Sequence, residues 1–373
     1  MSHLYEPLTL DLDYCRQRQQ RLLAVMERLD IQRVVLFQPE HVQYFTGFRP
    51  GGLLNAAVSL DADGHCLLVA PNSVPEHAAV DEVVTFEAQW HCTLRQDQRE
   101  AIAAILGTAW SGRSAASRVG VEFSNAGRHL DPLFADIAIV DVEPELWGLR
   151  RAKDPDELAM IRRAVACTEA MYARAREVIE PGVTEIEVYN QLHAAAVEVA
   201  GEPLTGFGND FQCNSPGGPP RNRAAEAGEL FVLDLGPGYR GYYADNCRSM
   251  RVGATINDEQ QHAWQAIVDV LQMVEETVRP GLSAQKLFHR AQEMLDEYRT
   301  GAFFHHLGHG IGLFPHEGPH LNPHWEDTFA VGDVFTAEPG LYGPELRAGI
   351  RLEENYVVTE TGVERLTGYP LEL

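Results

Sequence analysis

The chain has 373 residues, too many for one ordinary hydrophobic core, so its length predicts two domains. Its composition, 45% hydrophobic and 23% charged, is that of a folded globular protein and argues against disorder. The 54 acidic against 30 basic residues give a formal charge of -24, which repels nucleic acid and anionic membranes and argues against both as partners. The cysteines (Cys15, Cys66, Cys92, Cys167, Cys213, Cys247) are scattered with no CxxC pair and read as reduced thiols. The N-terminal segment lacks an apolar h-region, and no run approaches membrane-spanning length, so a cytoplasmic protein is expected.

The first part of the chain mixes helix and strand. Leu22, Leu23, Met26 and Leu29 recur at helical spacing in a segment closed by Asp30, and Val34 to Phe37 reads as a buried strand. A hairpin follows, with strands near 56–60 and 66–69 around the turn Asp61-Ala62-Asp63-Gly64. A helix near 100–106 and strands near 119–122 and 137–140 complete an α/β domain that ends near residue 145. Leu149 to Glu157 reads as a linker leading into a long helix, with Asp154 as its cap and Pro155 in its first turn.

The second part carries an internal repeat. Pro181-Gly182-Val183-Thr184 and Pro280-Gly281-Leu282-Ser283 each separate two helical segments, and Thr184 and Ser283 are natural helix caps. After each helix pair comes a strand ending in an acid and a turn, Asp234 in one and Glu338 in the other. Two similar halves are expected, each made of two helices and a hairpin.

The acids carry the chemistry. Asp234 and Asp245 flank the turn Gly236 to Gly241, and a symmetric turn would set them opposite each other with Cβ atoms ~5 Å apart. Glu338 and Glu353 flank the second turn, whose midpoint falls at Glu345-Leu346. Like charges that close destabilise a fold unless a cation lies between them, and four on one sheet face call for more than one cation. Histidines concentrate between His305 and His324, where a glycine-rich loop lets rings converge; His306, His320 and His324 read as structural or surface. Mainly oxygen ligands with one imidazole suit two divalent metal ions, Mn²⁺ or Co²⁺ first and Zn²⁺ or Fe²⁺ next. Such a pair, ~3.5–4 Å apart, lowers the pKa of a shared water towards ~7, which points to hydrolysis of an amide-like bond.

In this order, DLGPGYRGYYADNCRS, HHLGHGIGLFPHE, TAEPGLY and GIRLEENYVV resemble the pita-bread metallopeptidase family (M24) of Xaa-Pro aminopeptidases, prolidases and methionine aminopeptidases. The segment Tyr44 to Phe48 resembles the creatinase-type N-terminal domain of the Xaa-Pro group. The resemblance implies an α/β creatinase-like domain over residues 1–148 and an α+β pita-bread catalytic domain over 149–373, with the internal pseudo-twofold repeat. It implies Asp234, Asp245, His309, Glu338 and Glu353 as metal ligands, Glu338 doubling as a proton shuttle. His305 and His316 match histidines that contact substrate and intermediate, and Arg351 matches an arginine that orients Glu353 or a substrate carboxylate.

The implied activity is that of an Xaa-Pro dipeptidase or aminopeptidase, and the implied assembly a homodimer in which one N-terminal domain edges the other subunit's site. One departure stands out: the family's further histidine, some seventeen residues before the first ligand aspartate, is absent from Cys213 to Arg221, where Arg221, Asn214 or Asn222 could compensate. That departure favours an alternative, a family member acting on another small C–N compound such as ectoine or creatine, or a lyase. A non-enzymatic interaction module is a third reading; such members commonly lose the ligands that this chain retains.

Overall fold

The structure, a computed structural model, describes residues 6–125, 128–133, 137–253 and 255–373. Two compact units emerge, Thr9–Arg150 and Arg151–Leu373, the segment ending at Leu8 belonging to the second.

The N-terminal unit opens with the helix Leu12–Leu29, where the Asp11 carboxylate accepts from the Asp13 N–H and Asp30 ends the last turn at φ 53°. Its buried face is Cys15, Leu22, Val25 and Met26, spaced to lie on one side of a 3.6-residue repeat. The six-stranded sheet beside it runs, edge to edge, 82–86, 66–71, 57–61, 33–36, 118–121 and 138–141. The hairpin 57–61/66–71 is antiparallel, as the turn residues predict, while strands 118–121 and 138–141 join in parallel. Ile102, Ala103 and Leu106 of the helix Gln98–Trp110 pack on Val35, Leu67, Val69, Val119 and Val121. The expected linker is in part helical: Glu143–Arg151 forms a helix with Glu143 and Glu145 in its first turn and Leu146 buried. Acids at a helix N-terminus and one buried face outweigh the charge run that made the segment read as a linker.

The C-terminal unit repeats itself. Helices Pro155–Val178 and Glu185–Ala200 make one pair, and Asp258–Thr277 and Ala284–Tyr298 the other. The Thr184 side chain accepts from the Glu187 N–H and the Ser283 side chain from the Lys286 N–H, as the cap residues predict. The two junctions match in detail: Thr184 bridges Ala224 and Ser283 bridges Thr328, both antiparallel, and the N–H groups of Gly182 and Gly281 donate to Ala225 and Phe329. The core of the second half sits between Val270, Leu271, Val274, Leu287 and Leu295 of its helices and Phe335, Ala337, Leu341, Ile350 and Tyr356 of its strands. No helix among the described residues is long and apolar enough to cross a membrane.

Candidate metal centre

Strand Leu230–Leu235 lies between Asp210–Cys213 and Asn246–Arg251, antiparallel to both. Its register sets Asp234 opposite Cys247, correcting the expectation that Asp245 faces Asp234 directly. The cause is the turn. Arg240 and Gly241 take φ 49° and 89°, the pair of positive values of a two-residue type I′ turn, so the hairpin axis falls one residue later than a symmetric loop would place it. Asp245 lies two residues before Cys247, hence on the same face as Asp234 and diagonal to it.

The second hairpin keeps one register throughout. Ala337 pairs with Glu354 and Gly340 with Arg351, so Glu338 and Glu353 stand opposite each other, as expected. Only Asp234 sits within a strand; Asp245, Glu338 and Glu353 lie at strand ends, so the four acids do not share one sheet face. Cross-links knit the sheets together: the Glu353 N–H donates 2.9 Å to the Cys247 carbonyl, the Asn246 amide to the Glu353 carbonyl, and the Asn355 amide to the Asp245 carbonyl. Two asparagines thus repeat one role in the two halves, fixing the backbone beside each acid.

Several groups of potential metal donors form here, and two of them share Glu353. Oxygens of Asp234, Asp245 and Glu353 lie within 4.8 Å of one another, as do donor atoms of His309, Glu338 and Glu353, so Glu353 belongs to both. His309 Nε2 stands 3.6 Å from Asp245 Oδ2 and 3.5 Å from Glu338 Oε1. Its Nδ1 lies 3.0 Å from the Gly310 carbonyl, which can only accept, so Nδ1 carries the proton and the Nε2 lone pair faces the acids. Burial pushes the His309 pKa down to about 4 and keeps the ring neutral.

Burial, reinforced by neighbouring carboxylates, holds Asp245 and Glu353 well above the usual carboxylate range. It also raises Asp234 to about 6, against the lowering influence of the Arg351 guanidinium. Asp234 Oδ1 and both carboxylate oxygens of Glu353 are buried with no hydrogen-bond partner. Unpartnered buried carboxylate oxygens are costly, and a divalent cation reverses both burial and repulsion at once. The donor set therefore fits metal.

A cavity of about 460 Å³ opens beside these groups, lined among others by Asp210, Gly217, Phe304, His305, His306, His316, Tyr342 and Arg351. Arg351 Nη2 donates to Asp234 Oδ2 at 2.8 Å and to Asp210, while Nη1 donates to the Tyr342 hydroxyl at 3.1 Å. His305 has both ring nitrogens engaged, Nδ1 with the His306 carbonyl at 2.8 Å and Nε2 with the Tyr342 hydroxyl at 2.9 Å. His316 stacks on His309 with ring centroids 3.7 Å apart. The His306 Nε2 meets Glu338 Oε1 at 3.0 Å. Burial acts to lower the His306 pKa, but this hydrogen bond together with the charges of Glu338 and Asp234 outweighs it, and the pKa ends above the ordinary value.

The family model of metallopeptidase family M24 matches residues 159–360, more than half the chain. The chain belongs to the M24 family. The creatinase/prolidase N-terminal domain model matches residues 18–152. An Xaa-Pro dipeptidase of Pyrococcus furiosus is 28% identical over 364 residues, covering 96% of this chain and 99% of that protein. A prolidase structure from the same organism superposes with a TM-score of 0.78 at 26% identity, covering 93% of this chain and 99% of that one. A prolidase from Pyrococcus horikoshii shares the fold, with a TM-score of 0.81 at 24% identity over 96% and 99% of the two chains.

Within the M24 domain, the acids and His309 singled out in the sequence converge, and His305, His316 and Arg351 join them at the cavity. Three readings change. Arg351 binds Asp234, a carboxylate one hairpin away, because the strand Ala348–Arg351 packs beside Leu230–Leu235. His306, read as structural or surface, lies in the cavity wall against Glu338. Arg221, Asn214 and Asn222 do not line the cavity, and Arg221 is spent on Glu185 at 2.6 Å. Asp210 was missed; it stands in register with Asp234 on the neighbouring strand, and a lone acid before an apolar residue gave no period to read. Gly217, at the level of the absent histidine, has φ 153°, and a side chain there would run into the Asp210 carboxylate.

Proposed function

We propose that this chain is a dinuclear metal-dependent hydrolase of small Xaa-Pro peptides, with Asp234, Asp245, His309, Glu338 and Glu353 holding the ions. The observation that carries this reading is Glu353, shared by two donor groups with both carboxylate oxygens buried and unpartnered. Mn²⁺ or Co²⁺ suits this oxygen-rich set. Two bound ions supply an activated water and polarise the scissile carbonyl.

The protein's own groups do the rest. Arg351 anchors Asp234, and Asp210 holds Arg351 in turn. Glu338 faces the cavity and His306 and is placed to take a proton from the attacking water and pass it to the leaving amine. His316 and His305, the latter braced by Tyr342, both line the cavity. Dipeptidase relatives favour a peptide substrate over the other C–N compounds of the family. A homodimer is the assembly we propose, from the family resemblance.

The test is hydrolysis of a dipeptide panel by the purified protein loaded with Mn²⁺ or Co²⁺. Release of the N-terminal residue from Xaa-Pro dipeptides is expected. No turnover of any dipeptide with two ions bound would contradict the substrate assignment, and small zwitterionic metabolites would then be the next panel.

A further inference from the structure

The cavity is lined by four imidazoles, all from the segment 305–316, because Gly217 contributes none. Three have evident engagements. His309 belongs to the donor set, His305 has both ring nitrogens hydrogen-bonded, and His316 is stacked on His309. The fourth is His306, the second member of the His305-His306 doublet.

Its Nε2 lies 3.0 Å from Glu338 Oε1, and a carboxylate can only accept, so Nε2 donates. The His306 ring is confined, with centroids 5.3 Å from His309 and 5.7 Å from His316, and 27% of its side chain is exposed. The backbone is pinned at the same level. The Glu338 N–H donates 2.8 Å to the Leu307 carbonyl, and the His306 carbonyl accepts from His305 Nδ1. The spacing between the 306–307 segment and Glu338 is therefore fixed by main chain and side chain together.

We propose that His306 is a positioning residue for Glu338: its Nε2–H selects one orientation of a carboxylate that must both hold metal and move a proton. The proposal rests on the metal-site reading above, but not on the identity of the substrate. A carboxylate on a single bond rotates freely unless a neighbour holds one oxygen, and outer-shell partners of this kind typically set metal affinity or activity by ~10–100-fold.

The experiment titrates Mn²⁺ into metal-free wild type, H306A and H306Q by calorimetry, with melting temperatures and Xaa-Pro dipeptide kinetics on the same samples. H306A should weaken Mn²⁺ binding or lower kcat by ~10–100-fold while KM stays within about twofold. H306Q should recover most of the loss, because its amide N–H reaches the same oxygen. Wild-type Mn²⁺ affinity and kcat in H306A would overturn the proposal. So would equal impairment of H306A and H306Q with lowered melting temperatures, since that marks a packing role. Absence of Mn²⁺ binding in the wild type would sink the metal reading and this proposal with it. If the wild type binds two ions but cleaves no dipeptide, only the substrate reading fails, and the Mn²⁺ affinities still decide on His306.

Discussion

At Asp234 and Arg351 one contact shows how this site is kept ready. Arg351 neutralises one oxygen of Asp234 and leaves the other bare, so the acid is half satisfied by protein and half reserved. Asp210 completes the arrangement by accepting from the same Arg351 Nη2 that meets Asp234. D210N should therefore weaken Mn²⁺ binding or activity by ~10–100-fold without unfolding the protein, read by calorimetry and circular dichroism. E353Q removes the donor common to both groups and should lower Mn²⁺ stoichiometry below two, with activity falling by at least ~100-fold. Glu185 offers a test by pH. Its burial acts to raise its pKa, but hydrogen bonds from the Arg221 guanidinium and the N–H groups of Arg221 and Cys213 prevail, and it ends below the ordinary value. A depressed carboxylate pKa contributes stability above its unfolded value, ~4.3, that disappears as pH falls through the folded one. E185Q should then cost ~1–3 kcal/mol near pH 7 and less at pH 3, measured by urea unfolding at both.

The elements that place these residues were legible to different degrees. Helix caps announced themselves because Thr184 and Ser283 precede acidic or apolar periods directly, and the matched Pro-Gly junctions exposed the repeat. T184A should cost ~1 kcal/mol, seen as a lowered melting temperature. Leu271, buried where helix meets strand in the second half, should cost ~2–5 kcal/mol as L271A. The second hairpin was read in register because its turn is symmetric about Glu345-Leu346. The first was read with Asp234 paired two residues early because nothing local said that Arg240 would take a positive φ beside Gly241. Asp210 and the Arg351–Asp234 contact escaped for a different reason. Both depend on which strands become neighbours, and the partners lie 24 and 117 residues apart in sequence. The asparagines Asn246 and Asn355 escaped for the same reason, their work being done on the opposite hairpin's backbone.

Across the whole molecule, the acidic surplus is partly functional. Of 54 acids, four are gathered from two halves of one repeat into a buried cluster, a distribution that composition could not distinguish from a solvated surface. Such a cluster links folding to metal. Mn²⁺ at ~100 times its Kd should stabilise the fold by ~2.7 kcal/mol per independent site and raise the melting temperature, an effect that chelator reverses. The decisive measurement is a crystal structure of the Mn²⁺-loaded protein with anomalous diffraction data. Two peaks ~3.5–4 Å apart are expected, both within coordination distance of Glu353, with His309 on one ion and Asp234 on the other. A single peak, or Glu353 turned away towards a cationic side chain, would contradict it.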